Sequence, residues 1–333
     1  MKRIVASLLS ATMILGLGAC SSSGSDANSQ AGGTVELTLD SGLTPTHIIN
    51  KCGEALVDLV NEKTNGEVQI TFYPADTLGN SSERVAMLMG GETDISMQAL
   101  SAFDSYNPRQ GVVNAFFMFN DWDHYQKYME SDIYGEVMSG LEEATGATVL
   151  GEVYYNRRHI VSKKPVQSLA DLKGLKFRVP NEPMPIASIE ALGASPTPMA
   201  GNEVYMALQN GTIDATENGA EQIVAQAFYE VAPYMTFTAH QYQTQLFVLS
   251  DAGRQKLSDE QFELLCEAVD EVTAEYNTLI QESEAEYEEQ LRSQISCYDI
   301  DTSEFRTACE AMYDQHDDEW GDGTWEAIRA LAE

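Results

Sequence analysis

Val35, Leu37 and Leu39 alternate with Glu36, Thr38 and Asp40, the two-residue period of a strand buried on one face. Ile48, Ile49, Cys52, Leu56, Leu59 and Val60 then recur at helical spacing, and Asn65-Gly66 is a good helix stop. Val68, Ile70 and Phe72 alternate again before Pro74. A strand, a helix and a strand within about 40 residues predict a βαβ unit with a parallel pair. Val85, Leu88 and Met89 suggest a second helix, stopped by Gly90-Gly91, and Asp94 to Met97 a third short strand. This is the opening of a doubly wound α/β domain.

A second α/β unit begins near Val149. Lys176 to Val179 reads as a strand, and Pro185 to Leu192 as a short helix ended by Gly193. Asn202 is placed to cap a helix over Glu203 to Asn210, with Gly211 as its stop. Thr212 to Thr216 and Thr244 to Leu249 read as further strands. Ser258-Asp-Glu-Gln261 has the form of a capping box. It opens a helical pattern that runs to about Ser296 with no Gly or Pro, its apolar stripe carried by Phe262, Leu265, Val269, Val272, Tyr276, Leu279 and Ile280. Beyond Ile280 the sequence turns acidic. At ~1.5 Å per residue this helix exceeds about 50 Å, longer than one small domain is wide, so it is expected to bridge two.

The N-terminus changes the picture. Lys2 and Arg3, the apolar run Ile4 to Leu17 and then Leu17-Gly18-Ala19-Cys20 read as a lipoprotein signal peptide over residues 1–19, with Cys20 as the lipidated residue. Residues 20–33, rich in Ser and Gly, read as a flexible tether. An extracytoplasmic, lipid-anchored protein is expected, on the periplasmic side if the cell has an outer membrane. About 300 residues remain, enough for two domains. The formal net charge is −33. Removing residues 1–19 takes away two basic residues and no acid, which argues against nucleic acid or an anionic surface as partner. Four cysteines are left, Cys52, Cys266, Cys297 and Cys309, with no CxxC. Export permits disulfides. Cys297–Cys309 is the best-placed pair, and free buried thiols are the equal alternative.

No GxSxG, HExxH, P-loop or GxGxxG stands beyond the leader, and the five histidines show no ligand-pair spacing. No catalytic residue, cofactor or metal is therefore assigned. Asp299, Asp301, Ser303 and Glu310 follow an EF-hand-like spacing, but Glu304 stands where the turn needs Gly. Asp314 to Glu319 reads as a solvated acidic face, and Phe116 to Phe119 as core. Two arginines differ in context: Arg158 in YYNRRH and Arg178 in DLKGLKFRVPN. Arginine presents a planar fork of donors that matches a carboxylate. Arg178 closes a predicted strand, where open α/β domains bind ligands. In such settings an arginine most often pairs with a nearby acid such as Asp171. Against the chain's overall charge, two arginines with a Gly/Pro-rich turn and the Glu217-Asn218 pair suggest one specific anion site.

The stretch from Tyr154 to Asn218, with its GASPTPMAGNEVYMALQ run and TEN element, and YPADTLGN at Tyr73–Asn80 resemble the solute-binding proteins of TRAP transporters (tripartite ATP-independent periplasmic, DctP family). The likeness covers nearly all of Thr34 to Glu333. It implies an α/β fold of two domains clamping a ligand in a cleft, as in periplasmic binding proteins, with a long helix spanning both. The domains would comprise residues 34–155 with 244–283, and 156–243 with 284–333. The resemblance implies capture of an organic acid and delivery to one small and one large integral-membrane subunit, with the binding protein a monomer. Arg178 resembles the main carboxylate clamp and Arg158 the second basic contact. Asn181 and Asn218 resemble polar ligand contacts, and Ser41 and Ser82 fall near polar cleft positions. Gly201 aligns with a position that carries a ligand-stacking Phe in sialate-binding members, and Ala99 and Ala102 stand where those members carry Glu and Arg. A carboxylate other than sialate is expected. The same binding chemistry would also serve a sensor that feeds a membrane receptor, and the remaining alternative is an extracellular hydrolase.

Overall fold

A computed structural model of the chain describes residues 33–332; Cys20, the expected signal peptide and all but the last residue of the expected tether lie outside them. Nine strands form one mixed sheet: β1 (Val35–Ser41), β2 (Val68–Tyr73), β3 (Ile95–Ala99), β4 (Thr148–Ser162), β5 (Lys176–Val179), β6 (Ser195–Pro198), β7 (Ala215–Asn218), β8 (Tyr234–Leu249) and β9 (Ser296–Asp299). Their order is β2-β1-β3-β8-β4-β7-β5-β6, with β9 added beside β8. The parallel trio β2-β1-β3 makes a first lobe, and β7-β5-β6, again parallel, a second.

Two long antiparallel strands join the lobes. The end of β8 pairs with β3 and its beginning with β9. Its partner β4 starts beside Leu249 and ends against β7. Their ladder shifts register between Val149 and Gly151, Tyr154 and Asn156, and Arg158 and Ile160. Such bulges bend a strand and sharpen its twist. The middle shift faces Gln243 and Thr244, where the chain passes from one lobe to the other. Both strands are far longer than the 244–249 segment that its β-forming residues pick out. Most residues on both faces of β4 and β8 are buried, so little alternation survives in their sequences.

The helix Asp259–Gln294 begins at the Ser258/Gln261 capping box. At ~1.5 Å per residue its 36 residues reach roughly 54 Å. It packs against the helix Ile48–Lys63 in the first lobe, against β4, and against the helix Ala220–Ala225 in the second. Leu265, Val269, Val272 and Ile280 bury its apolar stripe. Its acidic half is anchored too. The buried Glu284 carboxylate accepts from Tyr154 Oη at 3.1 Å and from Arg157 N at 2.7 Å. Glu288 accepts from Arg157 Nε at 2.8 Å. Charged side chains thus pin the helix to β4 beside its middle register shift.

The larger core runs from Leu37 and Leu39 through Phe116, Phe117 and Phe119 to Phe177 and Ile189; a smaller one gathers around Val204, Leu208, Ile223 and Leu291. The C-terminal segment touches both lobes: Tyr313 Oη donates to Phe116 O, Arg329 holds Met118 O at 3.1 Å, and the helix Ser303–Tyr313 packs on Pro183–Ala191. Two expectations are corrected and one alternative is decided. Asn202 caps nothing: a turn of 3-10 helix starts at Gly201 and the α-helix Val204–Asn210 follows with no side-chain cap. The strand expected at Thr212–Thr216 lies at Ala215–Asn218, because Thr212 bonds back to Asn210. Of the two alternatives for the cysteines, free thiols hold: Cys52, Cys266, Cys297 and Cys309 are all free, with Cys52 and Cys309 buried.

Candidate functional site

A cavity of about 560 Å³ lies between the two lobes, a size suited to a small organic ligand. Its second-lobe wall is built on β5 and β6. Arg178 sits in β5 opposite Thr197 of β6, and Val179 O accepts from Met199 N at 3.1 Å. That pairing brings Met199 O to the guanidinium, which donates Nε at 3.2 Å and Nη2 at 2.9 Å to it. Nη1 has no such anchor. Asp171 does not reach Arg178; it accepts from Gln167 N and Ser168 N instead. Among the described residues, the arginines that form ion pairs are Arg84, Arg109, Arg157, Arg158, Arg254, Arg292 and Arg329, and Arg178 is not one of them. It is 7% exposed. Burial brings its pKa down to about 10, so it stays cationic at neutral pH. A desolvated arginine with spare donors and no protein carboxylate is a receptor for an anion.

Asn181, Gly201 and Asn218 line the same wall. Asn218 Oδ1 accepts from Gly219 N at 2.9 Å, which directs the side-chain amide. A Cβ placed on Gly201 would lie 3.9 Å from Arg178 Nη2, an ordinary contact, so this glycine opens the space above the guanidinium.

The first-lobe wall is built from YPADTLGN and the helix after it. Asn80 caps the helix Ser81–Met89 through a reciprocal box with Glu83. This presents Ser82 and Arg84 to the cavity. Arg84 Nη1 donates to Asp40 Oδ1 at 2.8 Å, and its Nε lies 3.1 Å from Asp76. Ala75 and Asp76 adopt left-handed backbone, held by bonds from their amides to Leu43 O and Ser41 O. Gly42 packs tightly beside them: a Cβ there would lie 2.5 Å from Arg84 Nη2 and 2.6 Å from Asp76 Oδ1, so that ion pair would have to shift. Gln98, Ala99, Ser101, Ala102 and, from β8, Gln245 complete this side.

Three expected contacts lie elsewhere. Arg158 and Glu217 are absent from the lining because each answers the other. Arg158 donates to Glu217 through Nε, through Nη2 to Oε1 at 2.8 Å and to its carbonyl at 3.2 Å, and through Nη1 to Gln243 at 2.8 Å. Burial alone would raise the Glu217 pKa, but the charge of Arg158 and its hydrogen bonds outweigh this and hold the carboxyl well below the usual range. The second cavity arginine is instead Arg84, a lone basic residue in SSERVAML that no motif marks. Ser41 is buried with its Oγ accepting from Leu43 N at 3.2 Å, and Gly42 takes its place in the wall. Glu182, also unforeseen, lines the cavity four residues after Arg178, at the N-cap of the helix Pro183–Ala191.

Comparison with known proteins shows the family. Residues 41–319 match the family model described as bacterial extracellular solute-binding protein, family 7 (DctP). The sialic acid-binding periplasmic protein SiaP of Vibrio cholerae is 31% identical over 267 residues, 80% of this chain and 83% of that one. The 2,3-diketo-L-gulonate-binding periplasmic protein YiaO of Escherichia coli is 34% identical over 204 residues, 61% of this chain and 62% of that one. The crystal structure of a TRAP periplasmic solute-binding protein from Ochrobacterium anthropi with bound L-fuconate superimposes with a TM-score of 0.84 at 27% identity, covering 90% of this chain and all of that one.

Proposed function

The chain belongs to family 7 of the bacterial extracellular solute-binding proteins, the solute receptors of TRAP transporters, and from that premise we propose that it captures a hydroxylated monocarboxylate in the interlobe cavity for delivery to the membrane subunits of such a transporter. The observation that carries this reading is Arg178: buried, fixed by Met199 O, and without a protein carboxylate in a chain of charge −33. The ligand carboxylate replaces water at the free edge of the guanidinium, and Asn181, Asn218 and Ser82 supply further polar contacts.

The wall around Arg178 narrows the ligand. Ala99, Ala102 and Gly201 remove the large side chains expected of a sialate site, yet the wall is not apolar. Gln98, Gln222, Gln226 and Gln245 stand among them. Amide side chains offer both donors and acceptors, which suits hydroxyl groups. Leaving those amides against a hydrocarbon tail costs about 1–3 kcal/mol for each group left unpaired. This favours a sugar acid smaller than sialate over an acid with an apolar body. The solutes named for three relatives, sialic acid, 2,3-diketo-L-gulonate and L-fuconate, are each hydroxylated carboxylic acids, the last two smaller than sialate.

Purified protein, stripped of any co-purified solute, is tested by thermal shift against aldonates, uronates, sialate, dicarboxylates and simple fatty acids. A ligand at ~100 times its dissociation constant stabilises by roughly 2.7 kcal/mol. The reading requires a response to at least one sugar acid. A response to sialate alone, or to no carboxylate, refutes it. Attachment to the membrane through Cys20 belongs to the same proposal, supported by the leader and the Ser/Gly stretch after it. Cys20→Ala should leave the precursor unprocessed or release the protein; a wild-type chain that is never acylated contradicts it.

A further inference from the structure

Glu182 is the one charged group of the second-lobe wall that the reading above leaves without work. It occupies the N-cap position of the helix Pro183–Ala191 but makes no capping hydrogen bond. Its Oε2 is buried and accepts no hydrogen bond among the described residues. Neither nearby arginine forms an ion pair with it among the described residues, although the charges of Arg178 and Arg158 act against the effect of burial. Arg158 is engaged by Glu217, and Arg178 is tied to Met199 O. Facing it from the first lobe are Ser101, whose hydroxyl is close enough to offset part of the burial of the Glu182 carboxyl, and Asp104, whose Oδ2 is buried without a partner. Burial, and then the charge of Glu182, push the Asp104 acid well above the carboxylate range, so the two acids are electrostatic neighbours. Burial likewise raises Glu182 itself.

A buried carboxylate oxygen without a donor is unfavourable, and a solute that brings a donor relieves it. A solute that brings a second carboxylate does the reverse, since like charges in a poorly solvated site repel strongly. The arrangement therefore has a polarity: Arg178 takes the anionic end, and Glu182, four residues on in the same wall, takes something that donates. Resting on the carboxylate reading of Arg178, we propose that Glu182 is a specificity-determining residue of the cavity, accepting a hydrogen bond from a hydroxyl or ammonium group of the solute and rejecting a second carboxylate. Specificity of this kind is a difference of affinities, and the repulsive element contributes as much as the attractive one.

Calorimetry on stripped wild type, Glu182→Gln and Glu182→Ala tests this with galactonate, its dicarboxylate counterpart galactarate, 2-amino-2-deoxygluconate and hexanoate. Wild type should bind galactonate at least tenfold more tightly than galactarate. Glu182→Gln, which keeps the shape and loses the charge, should narrow that ratio to a few-fold or less, mainly by gaining galactarate. Hexanoate affinity should not change between the two. A preference for 2-amino-2-deoxygluconate over galactonate that vanishes in Glu182→Gln identifies the donor as ammonium; equal loss for both identifies hydroxyl. Equal wild-type affinity for galactonate and galactarate overturns the proposal. So does a Glu182→Gln variant in which all ligands shift by the same factor, the mark of a merely structural role. Failure of the underlying reading looks different: Arg178→Ala then binds every ligand as wild type does, whatever Glu182 is.

Discussion

Arg178 donates both Nε and Nη2 to the carbonyl oxygen of Met199, at 3.2 and 2.9 Å. The contact is a by-product of two strands. Residues 176–179 of β5 pair in parallel with 195–198 of β6, and Met199 is the next residue along. One edge of the guanidinium is thereby fixed by backbone before any solute arrives. Preorganisation of this kind lowers the entropy lost on binding. It also explains why a short Pro-rich segment, SPTPM, sits beside the arginine: neither Pro196 nor Pro198 has an N–H to offer the ladder, which suits an edge strand.

The Arg158–Glu217 pair should behave as a structural unit. Removing one partner of a buried pair typically costs about 3–5 kcal/mol, because the other charge is left alone. Arg158→Ala and Glu217→Ala should each lower stability on that scale in denaturant unfolding. The double substitution Arg158→Met with Glu217→Leu should recover a large part of it. A stable Arg158→Ala protein that has lost only solute affinity would return Arg158 to the role of ligand contact.

Gly201 should control solute size. Its backbone is not in the left-handed region, and the added Cβ meets only Arg178 Nη2 at 3.9 Å. Gly201→Ala should therefore keep the fold, with a melting temperature within about 2–4 °C of wild type, the shift that roughly 1 kcal/mol produces at this length. Gly201→Phe should fill the space over Arg178 and weaken the best wild-type ligand tenfold or more in calorimetry. Unchanged affinity in Gly201→Phe would place the solute elsewhere.

Acid titration should expose two opposed groups at the join between the lobes. His47 Nε2 lies 3.4 Å from Glu221 Oε2, and Glu221 Oε1 also accepts from Ile48 N at 3.4 Å. Burial lowers His47 to about 4 and raises Glu221 to about 7. Folded Glu221 keeps a proton that the unfolded chain releases near 4.5, so its contribution falls as pH rises from 4.5 to 7. Folded His47 stays neutral where the unfolded chain is protonated below 6.5, so its contribution rises with pH from 4 to 6.5. In wild type the two slopes largely cancel. Glu221→Gln should leave stability climbing across pH 4–6.5, and His47→Gln should leave it falling across pH 4.5–7. Identical pH profiles for both variants would show that neither group is buried in this way.

Binding should bring the lobes together. The motivating features are the three register shifts in the β4–β8 ladder and a cavity walled by both lobes. Closure of this kind is a hinge change selected by the ligand. Small-angle scattering should report a smaller radius of gyration at saturation with a confirmed sugar acid. An unchanged curve would mean a rigid, preformed cavity.

What could be read from the chain follows from where its signals are local. Alternation in Val35–Leu39, the Ser258/Gln261 box and the Gly stops all act within a few residues, and those elements lie where they were expected. Arg178 was legible because a strand end and Pro180 frame it. The pairing of Arg158 was not legible because its partner Glu217 is 59 residues away and only the β4–β7 pairing brings them together. Arg84 carried no motif, although the Asn80–Glu83 box that positions it could have been found by spacing. Glu284 and Glu288 stand in the acidic run beyond Ile280, where nothing in the sequence marks them out. Their burial follows from the donors of Tyr154 and Arg157 across the strand, which no helical pattern encodes. Asn202 shows the converse: a residue of good capping type is not a cap when the preceding turn is already helical.

The account rests on Arg178, and calorimetry of three proteins against one confirmed sugar acid tests it most directly. Losing one partner of a buried, hydrogen-bonded charge pair typically costs about 2–5 kcal/mol in binding. Arg178→Ala should therefore abolish measurable binding while unfolding as cooperatively as wild type. Arg178→Lys should restore charge without the fork, and with it the two bonds to Met199 O, and so remain at least tenfold weaker than wild type. Near-wild-type affinity in either variant would contradict the claim that this guanidinium holds the carboxylate.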